Sequence, residues 1–277
     1  MYLITKVINN NFVCSVDEKG NELMLRGLGI GFQKKVNDTV PEEKIEKVYR
    51  TTNLSNSNKL QELINEIPSQ YLTVSTSIIE YAGNLLSKKL NENIFLTLTD
   101  HINFAIERKK KQLEYKNPLF WEIKSFYPEE FKIGIYALDL IQQELNVTLA
   151  EDEASFIALH IVNAELDSDM GSTVQITELI QALLDIVRAQ YQIALDESSL
   201  NYGRFITHLK YFGQRLFKKS MVAHDDATLK DIIKNRYPKD YQCADQIRTY
   251  IKEHYHQSIS DEDMIFLTVH LRSITTN

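Results

Sequence analysis

Cysteine is nearly absent: Cys14 and Cys243 are the only two in 277 residues, and their separation fits neither a metal-ligand pair nor a redox pair. They read as reduced thiols, which suits a cytoplasmic compartment rather than a disulfide-framed secreted domain. Long apolar runs are absent too. No stretch is long enough to span a bilayer, and no basic leader precedes an apolar segment, so a soluble, cytoplasmic protein without stable membrane insertion is expected. The sequence also lacks HExxH, CxxC, a carboxylate triplet at ligand spacing, a nucleophile motif and a nucleotide loop. These gaps argue against a catalytic centre, a cofactor and a metal site. A phosphotransferase or a metal-dependent hydrolase would need at least one of them.

What is present is uneven in charge. Residues 1–55 carry eight Lys/Arg and seven Asp/Glu, a net of +1, against 23 basic and 31 acidic residues in the remainder. A nucleic-acid-binding surface, if the chain has one, belongs in the N-terminal segment, although an excess this small does not establish one. Strand-like runs at 2–8, Phe12–Val16, Glu22–Leu25 and Ile45–Tyr49 are separated by turns at Asn9–Asn11 and Asp17–Asn21. They predict a small antiparallel β unit with so little core that dimerisation is expected. A polar stretch at Ser55–Asn58 reads as a linker. Helical periodicity follows at Leu60, Leu63, Ile64 and Ile67, at Ile78, Ile79, Ala82, Leu85 and Leu86, and at Ile133, Ala137, Leu140 and Ile141. A second linker is expected over Leu166–Thr173, before a further helical module opening with Leu179, Ile180, Leu183, Leu184 and Val187.

The helical part repeats itself. HINFAIER at His101–Arg108 returns as HLKYFGQR at His208–Arg215, and Asp152–Ile161 returns at Glu262–Leu271. Tyr127-Pro128 and Tyr237-Pro238 match as well, with a short insertion in the second copy reconciling the two offsets. Each module thus carries two histidines at matched positions, His101 with His160 and His208 with His270, which are four of the seven in the chain. On a helix, His101 and Arg108 lie two turns apart on nearly the same face, as do His208 and Arg215.

A single histidine on an amphipathic helix is usually a packing residue. Four at matched positions in two divergent copies point to a shared chemical requirement. Metal binding and acid–base catalysis lack their accompanying motifs. Phosphoryl acceptance remains: imidazole is a nucleophile at neutral pH, and Arg108 and Arg215 are candidates to pair with the added charge. In the N-terminal segment Gly27-Leu28-Gly29-Ile30-Gly31 has the wrong spacing for a dinucleotide fingerprint. It reads either as a bulged corner relieved by glycine or as a backbone surface that a base can approach. In the second case Phe32 stacks, Gln33 reads a base edge, and Lys6, Lys34 and Lys35 meet phosphates.

KVINNN at Lys6–Asn11, the Gly27–Lys35 segment, IEKVY at Ile45–Tyr49, LTDHINFAIER at Leu98–Arg108, DEASFIALHIVNAEL at Asp152–Leu166 and FITHLKYFGQR at Phe205–Arg215 together resemble the BglG/SacY/LicT-type transcriptional antiterminators, along the whole chain and closest to the LicT-like branch. The resemblance implies a multidomain fold: a small antiparallel β N-terminal domain followed by two homologous all-α helical-bundle domains. Residues 1–56 would be the co-antiterminator RNA-binding domain, 62–168 the first PTS regulation domain and 172–277 the second. It implies a homodimer that binds an RNA hairpin in the leader of sugar-utilisation messages, β-glucoside by default, and stabilises it against a terminator. It also implies phosphorylation of His101, His160, His208 and His270 by the phosphocarrier HPr and the sugar-specific PTS transporter (enzyme II). Phosphate on the first module would inactivate and phosphate on the second would activate. Lys6, Asn9, Asn11, Gly27, Gly29, Phe32 and Gln33 fall on the family's RNA-contact motif. Many relatives have Arg where this chain has Leu28, so the Arg contact is either lost or moved to Arg26. The competing reading, a DNA-binding transcriptional activator with the same sensor modules, needs a helix-turn-helix where strands are expected.

Overall fold

The computed structural model describes residues 1–17, 20–50, 67–218 and 227–276. The expected Ser55–Asn58 linker, the periodic positions Leu60, Leu63 and Ile64, and part of the Asp17–Asn21 turn lie outside the described residues.

The N-terminal residues form β1 (Tyr2–Leu3), β2 (Lys6–Val7), β3 (Phe12–Val16), β4 (Glu22–Arg26), β5 (Thr39–Val40) and β6 (Lys47–Arg50), with a 3-10 turn at Glu42–Lys44. Strands β2-β3-β4-β6 make one antiparallel sheet, and β1 pairs with β5. The single strand expected over 2–8 is therefore two. Ile4 N–H donates to Asp38 O while Thr5 N–H donates to Cys14 O, so the chain changes partner at a corner filled by the fully buried Ile4. The final strand starts at Lys47 because Ile45 N–H donates back to Glu42 O and closes the 3-10 turn first.

Alternation along the strands sorts the side chains onto two faces. Val13, Leu23 and Leu25 join Ile4, Ile30 and Val40 in one apolar cluster. On the opposite face Phe12 and Met24 pack into a cluster with Tyr71, Ile78 and Ile79 of the first helical module. Both faces are covered, which is why β4 reads ELMLR rather than as an alternating strand.

The helices are α1 (Ser69–Leu86), α2 (Ile94–Lys110), α3 (Phe120–Phe126), α4 (Pro128–Leu145), α5 (Asp152–Leu166), α6 (Met170–Tyr191), α7 (Leu200–Phe217), α8 (Ala227–Arg236), α9 (Pro238–Tyr255) and α10 (Asp261–Thr275). No strand occurs among the described residues from 67 onward. The apolar stripe of α1 runs on past Ala82 to Leu86, which packs against the core, whereas Leu85 is exposed. The linker expected over Leu166–Thr173 is shorter than its polar composition implies. Asp169 Oδ1 accepts from Ser172 N–H, so the SDMGST run is largely the capped first turn of α6.

Contacts divide the chain into two units, Met1–Asn117 with Glu129–Asp167, and Pro118–Pro128 with Ser168–Asn277. In the first, Leu98, Ile102, Ile106, Ile133, Ala137, Ile157 and Ile161 bring α2, α4 and α5 together. In the second, Leu183, Leu184, Phe205, Leu209, Phe212, Ile247 and Leu267 are fully buried. The fully buried Tyr127 shares a 3.0 Å hydrogen bond with Thr177 of α6 there.

Candidate functional site

In each unit the two repeated segments become facing helices. His101 of α2 and His160 of α5 have ring centroids 4.9 Å apart, and His208 of α7 and His270 of α10 stand 4.5 Å apart. An aromatic one turn before the second histidine backs each pair. Phe156 is 5.8 Å from His101, and Phe266 is 5.0 Å from His208.

The surroundings of the two pairs differ. In the first unit Arg108 is buried, with its guanidinium 4.8 Å from the ring centres of both Phe104 and Tyr115. Its Nη2 donates to Glu153 Oε1 at 2.7 Å, and Glu153 Oε2 lies 3.1 Å from His101 Nε2. That second contact is off the hydrogen-bonding angle, and both atoms are sealed from solvent. From the sequence, Arg108 is expected as a candidate partner for an added charge. In the fold it is a buried ion-pair partner, within a last turn that also carries Lys109 and Lys110. Burial, and then His101, push the His160 pKa down to about 3, and its Nδ1 is shielded without a partner. In the second unit His208 is exposed and His270 half-buried. Burial, and then His208, lower the pKa of His270. Arg215 Nη2 donates to Asp263 Oδ1 at 3.1 Å with much of its side chain in solvent.

Glu153 and Asp263 occupy matched places in the repeat, yet sequence reasoning passed them over. The signal available was an acid seven residues before each second histidine, the same spacing that separates His101 from Arg108.

Of the N-terminal residues assigned to RNA contact, Asn9, Asn11, Gly27, Gly29, Phe32 and Gln33 come together in one loop cluster, whereas Lys6 and Arg26 lie on the sheet. The Asn9–Asn11 turn and the Gly27–Gln33 loop are stitched together by Gly27 N–H to Asn11 O, Gly31 N–H to Asn10 O and Gly29 N–H to Asn11 Oδ1. Asn9 Oδ1 accepts from Asn11 N–H and Phe12 N–H, so that oxygen holds the turn. The glycine alternation is only partly an open backbone. A Cβ on Gly27 would meet Lys44 O at 2.0 Å and one on Gly31 would meet Asn9 O at 2.1 Å. Gly29, at φ +67°, has open space. Phe32 (59% exposed), Gln33, Lys34 and Lys35 face solvent, and so does Leu28. Lys6 is half-buried on β2. Arg26 lies on the Phe12/Met24 face, where it ion-pairs with Glu80 of α1 and, at 3.8 Å, with Glu46.

Neither cysteine is poised to react. Burial, and then Glu22, raise the Cys14 thiol to about 11, and burial, and then Asp240, raise Cys243 to about 12. No group of His, Cys, Asp and Glu among the described residues is arranged to hold a metal ion, and no helix there is long and apolar enough to cross a membrane.

Comparison with known proteins places this geometry. Residues 2–58 match the CAT RNA binding domain, and residues 76–164 and 181–274 each match the PRD domain. The chain is 45% identical over 271 residues to the transcription antiterminator LicT of Bacillus subtilis (strain 168), covering 98% of both chains. It is 40% identical over 271 residues to the beta-glucoside operon antiterminator of Dickeya chrysanthemi, covering 98% of this chain and 96% of that one. The crystal structure of GlcT CAT-PRDI superposes with a TM-score of 0.52 at 34% identity, covering 59% of this chain and 98% of that one.

Proposed function

Because the chain belongs to the family of transcription antiterminators that join a CAT RNA-binding domain to two PRD domains, we propose that it binds an RNA hairpin in the leader of a sugar-utilisation message, of the β-glucoside type, and holds it against termination. It does so as a homodimer, with domains at 1–56, 62–168 and 172–277. His101, His160, His208 and His270 are the phosphoryl acceptors, the phosphocarrier HPr and the sugar-specific transporter are the donors, and the role is regulatory rather than catalytic.

The observation that carries this reading is the duplicated pairing of two facing histidines with an Arg–carboxylate bridge beside them. Transfer to such a site needs little catalytic apparatus in the acceptor. The imidazole lone pair attacks phosphorus, the donor's P–N bond breaks, and its electron pair returns to the donor imidazole. The new dianion alters the charge of the helix face. That shifts the population between a dimer that clamps two RNA-binding domains together and one that does not. Phosphate on His101 or His160 disfavours the clamped form, and phosphate on His208 or His270 favours it.

The RNA face has the parts single-stranded recognition needs: an exposed aromatic at Phe32, an amide at Gln33, open backbone at Gly29, and Lys34 and Lys35 for phosphates. The described N-terminal residues are strands and one 3-10 turn, which gives a DNA-reading helix no support.

The test is a titration of the full chain with a hairpin of roughly 30 nucleotides carrying two internal loops, beside a scrambled RNA and the matching DNA duplex at fixed salt. Preferential hairpin binding that changes on phosphorylation, and stops changing when all four histidines are alanine, is expected. Equal binding to all three probes would overturn the reading.

A further inference from the structure

We propose that Glu153 is a positioning residue that stands in for phosphate between His101 and Arg108, so that His101 accepts a phosphoryl group only once this carboxylate has moved aside, whereas His208 has no such stand-in. The inference rests on the phosphohistidine reading above and adds a regulatory step to it.

The carboxylate bridges the two groups that a phosphoryl would join. One oxygen is 2.7 Å from Arg108 Nη2 and the other 3.1 Å from His101 Nε2, and all three side chains are largely buried. An incoming phosphoryl group is itself negative. At His101 Nε2 it meets a like charge at contact distance and a guanidinium whose Nη2 that carboxylate already holds, with little water to screen either. Displacing Glu153 removes both obstacles together, since the freed Arg108 can then pair with the transferred phosphoryl. The exchange is carboxylate for phosphate on one guanidinium, and no other partner need be supplied.

The second unit lacks the arrangement because of two matched changes in sequence. Position 263 is Asp, one methylene shorter than Glu153, and position 260 is Ser where the first copy has Ala150. Ser260 caps α10 through a capping box. Its Oγ accepts from Asp263 N–H, while Asp263 Oδ2 accepts from Ser260 N–H at 3.1 Å and from Ser260 Oγ–H at 2.7 Å. The remaining oxygen takes Arg215. Asp263 thus holds its own helix start and the arginine, and makes no ion pair with His208. Ala150 offers α5 no such cap, so Glu153 is free to reach α2.

The experiment follows phosphoryl transfer from a phosphohistidine donor protein to the full chain, with the label at each histidine resolved by peptide mass spectrometry. Glu153→Gln should raise the initial rate at His101 on the order of tenfold, with the KM for the donor unchanged and the rates at His208 and His270 unaltered. Glu153→Asp should act in the same direction, because the shorter carboxylate no longer spans the gap. Asp263→Glu combined with Ser260→Ala, which restores both matched differences, should slow His208. A merely structural role for Glu153 would lower labelling at several sites through loss of folded protein, and would not speed a single one. If Glu153→Gln fails to fold with Arg108 left unpaired, the Ser260→Ala/Asp263→Glu double variant still decides: an unchanged rate at His208 overturns the proposal. Label on His101 at the same rate with and without Glu153 overturns this inference alone. Absence of label from all four histidines overturns the phosphohistidine reading and this inference with it.

Discussion

Acidification from pH ~7.5 to ~5 should cost the first unit about 2 kcal/mol through His160 alone. In the folded chain burial, reinforced by His101, holds the His160 pKa down at about 3. In the unfolded chain an imidazole titrates near ~6.5. Between these values the unfolded state takes up a proton that the native state refuses, so acid favours unfolding. The contribution is intact above ~6.5 and shrinks as the pH falls toward the folded value. At about 1.4 kcal/mol per pH unit, the roughly one and a half units from ~6.5 to ~5 give the 2 kcal/mol. The total pH curve is not diagnostic, because Glu165 works the other way. Burial, and then Glu130, raise its pKa, so the native state keeps a proton that the unfolded state releases. The informative quantity is the difference between wild type and His160→Gln. Amide exchange of α2 and α5 in the full chain, corrected for intrinsic rates, reports on this unit, whereas the single tryptophan, Trp121, lies in the other. The wild type should lose about 2 kcal/mol more than the variant. Equal losses, or a larger loss in the variant, would refute the argument.

Glu80→Gln removes a partly exposed ion pair, so it should change stability by less than ~1 kcal/mol. In fluorescence anisotropy at low salt it should raise hairpin affinity a few-fold, about 3, by freeing Arg26, with the gain vanishing at high salt; unchanged affinity would show that Arg26 does not meet RNA. Gly31→Ala drives a methyl into the Asn9 carbonyl, inside a turn that Asn9 Oδ1 already fixes, and should destabilise the β unit by roughly 2–4 kcal/mol. Gly29→Ala has open space and suffers only from its positive φ, roughly 1–2 kcal/mol. Chemical denaturation that ranks the two alike would contradict the assigned roles.

The repeat made the paired sites legible. Matched offsets gave each module two histidines, and helical periodicity put His101 with Arg108 and His208 with Arg215 on one face, because a residue's place on a helix follows from its number; that the two histidines of each module face one another emerges only from the fold. The β unit was legible where alternation was regular, at Phe12–Val16, which the structure reproduces residue for residue. It was not legible over 2–8, where a change of strand partner depends on Asp38 and Cys14, residues far along the chain. Composition misled at SDMGST, since Ser, Asp and Thr serve a helix cap as readily as a linker. The glycine alternation was misleading in part for a similar reason. Gly27 and Gly31 are small because carbonyls press on them, and only the fold shows which carbonyls. The carboxylates escaped notice because an acid near a helix start is ordinary. What distinguishes Glu153 is the buried arginine and histidine it reaches across to.

The two units therefore carry one constellation at two different degrees of closure. His208 is exposed and its arginine partly solvated, so if it accepts phosphate as proposed, a donor can meet it in the conformation the unit already has. His101 is partly buried, its Nε2 is sealed against Glu153, and its arginine is enclosed between two aromatic rings. Transfer to it can occur only in a minor, opened population, so the rate at this site falls by the fraction that is open. On the proposed phosphohistidine reading, phosphorylation there then favours the opened form, because the phosphoryl and the Glu153 carboxylate compete for the same space and the same Arg108 Nη2. Chemistry at the first pair is thus coupled to a change of shape that chemistry at the second does not require. That difference comes from one methylene and one hydroxyl at the starts of two otherwise matched helices, and under the proposed reading it lets the two copies answer the same modification differently.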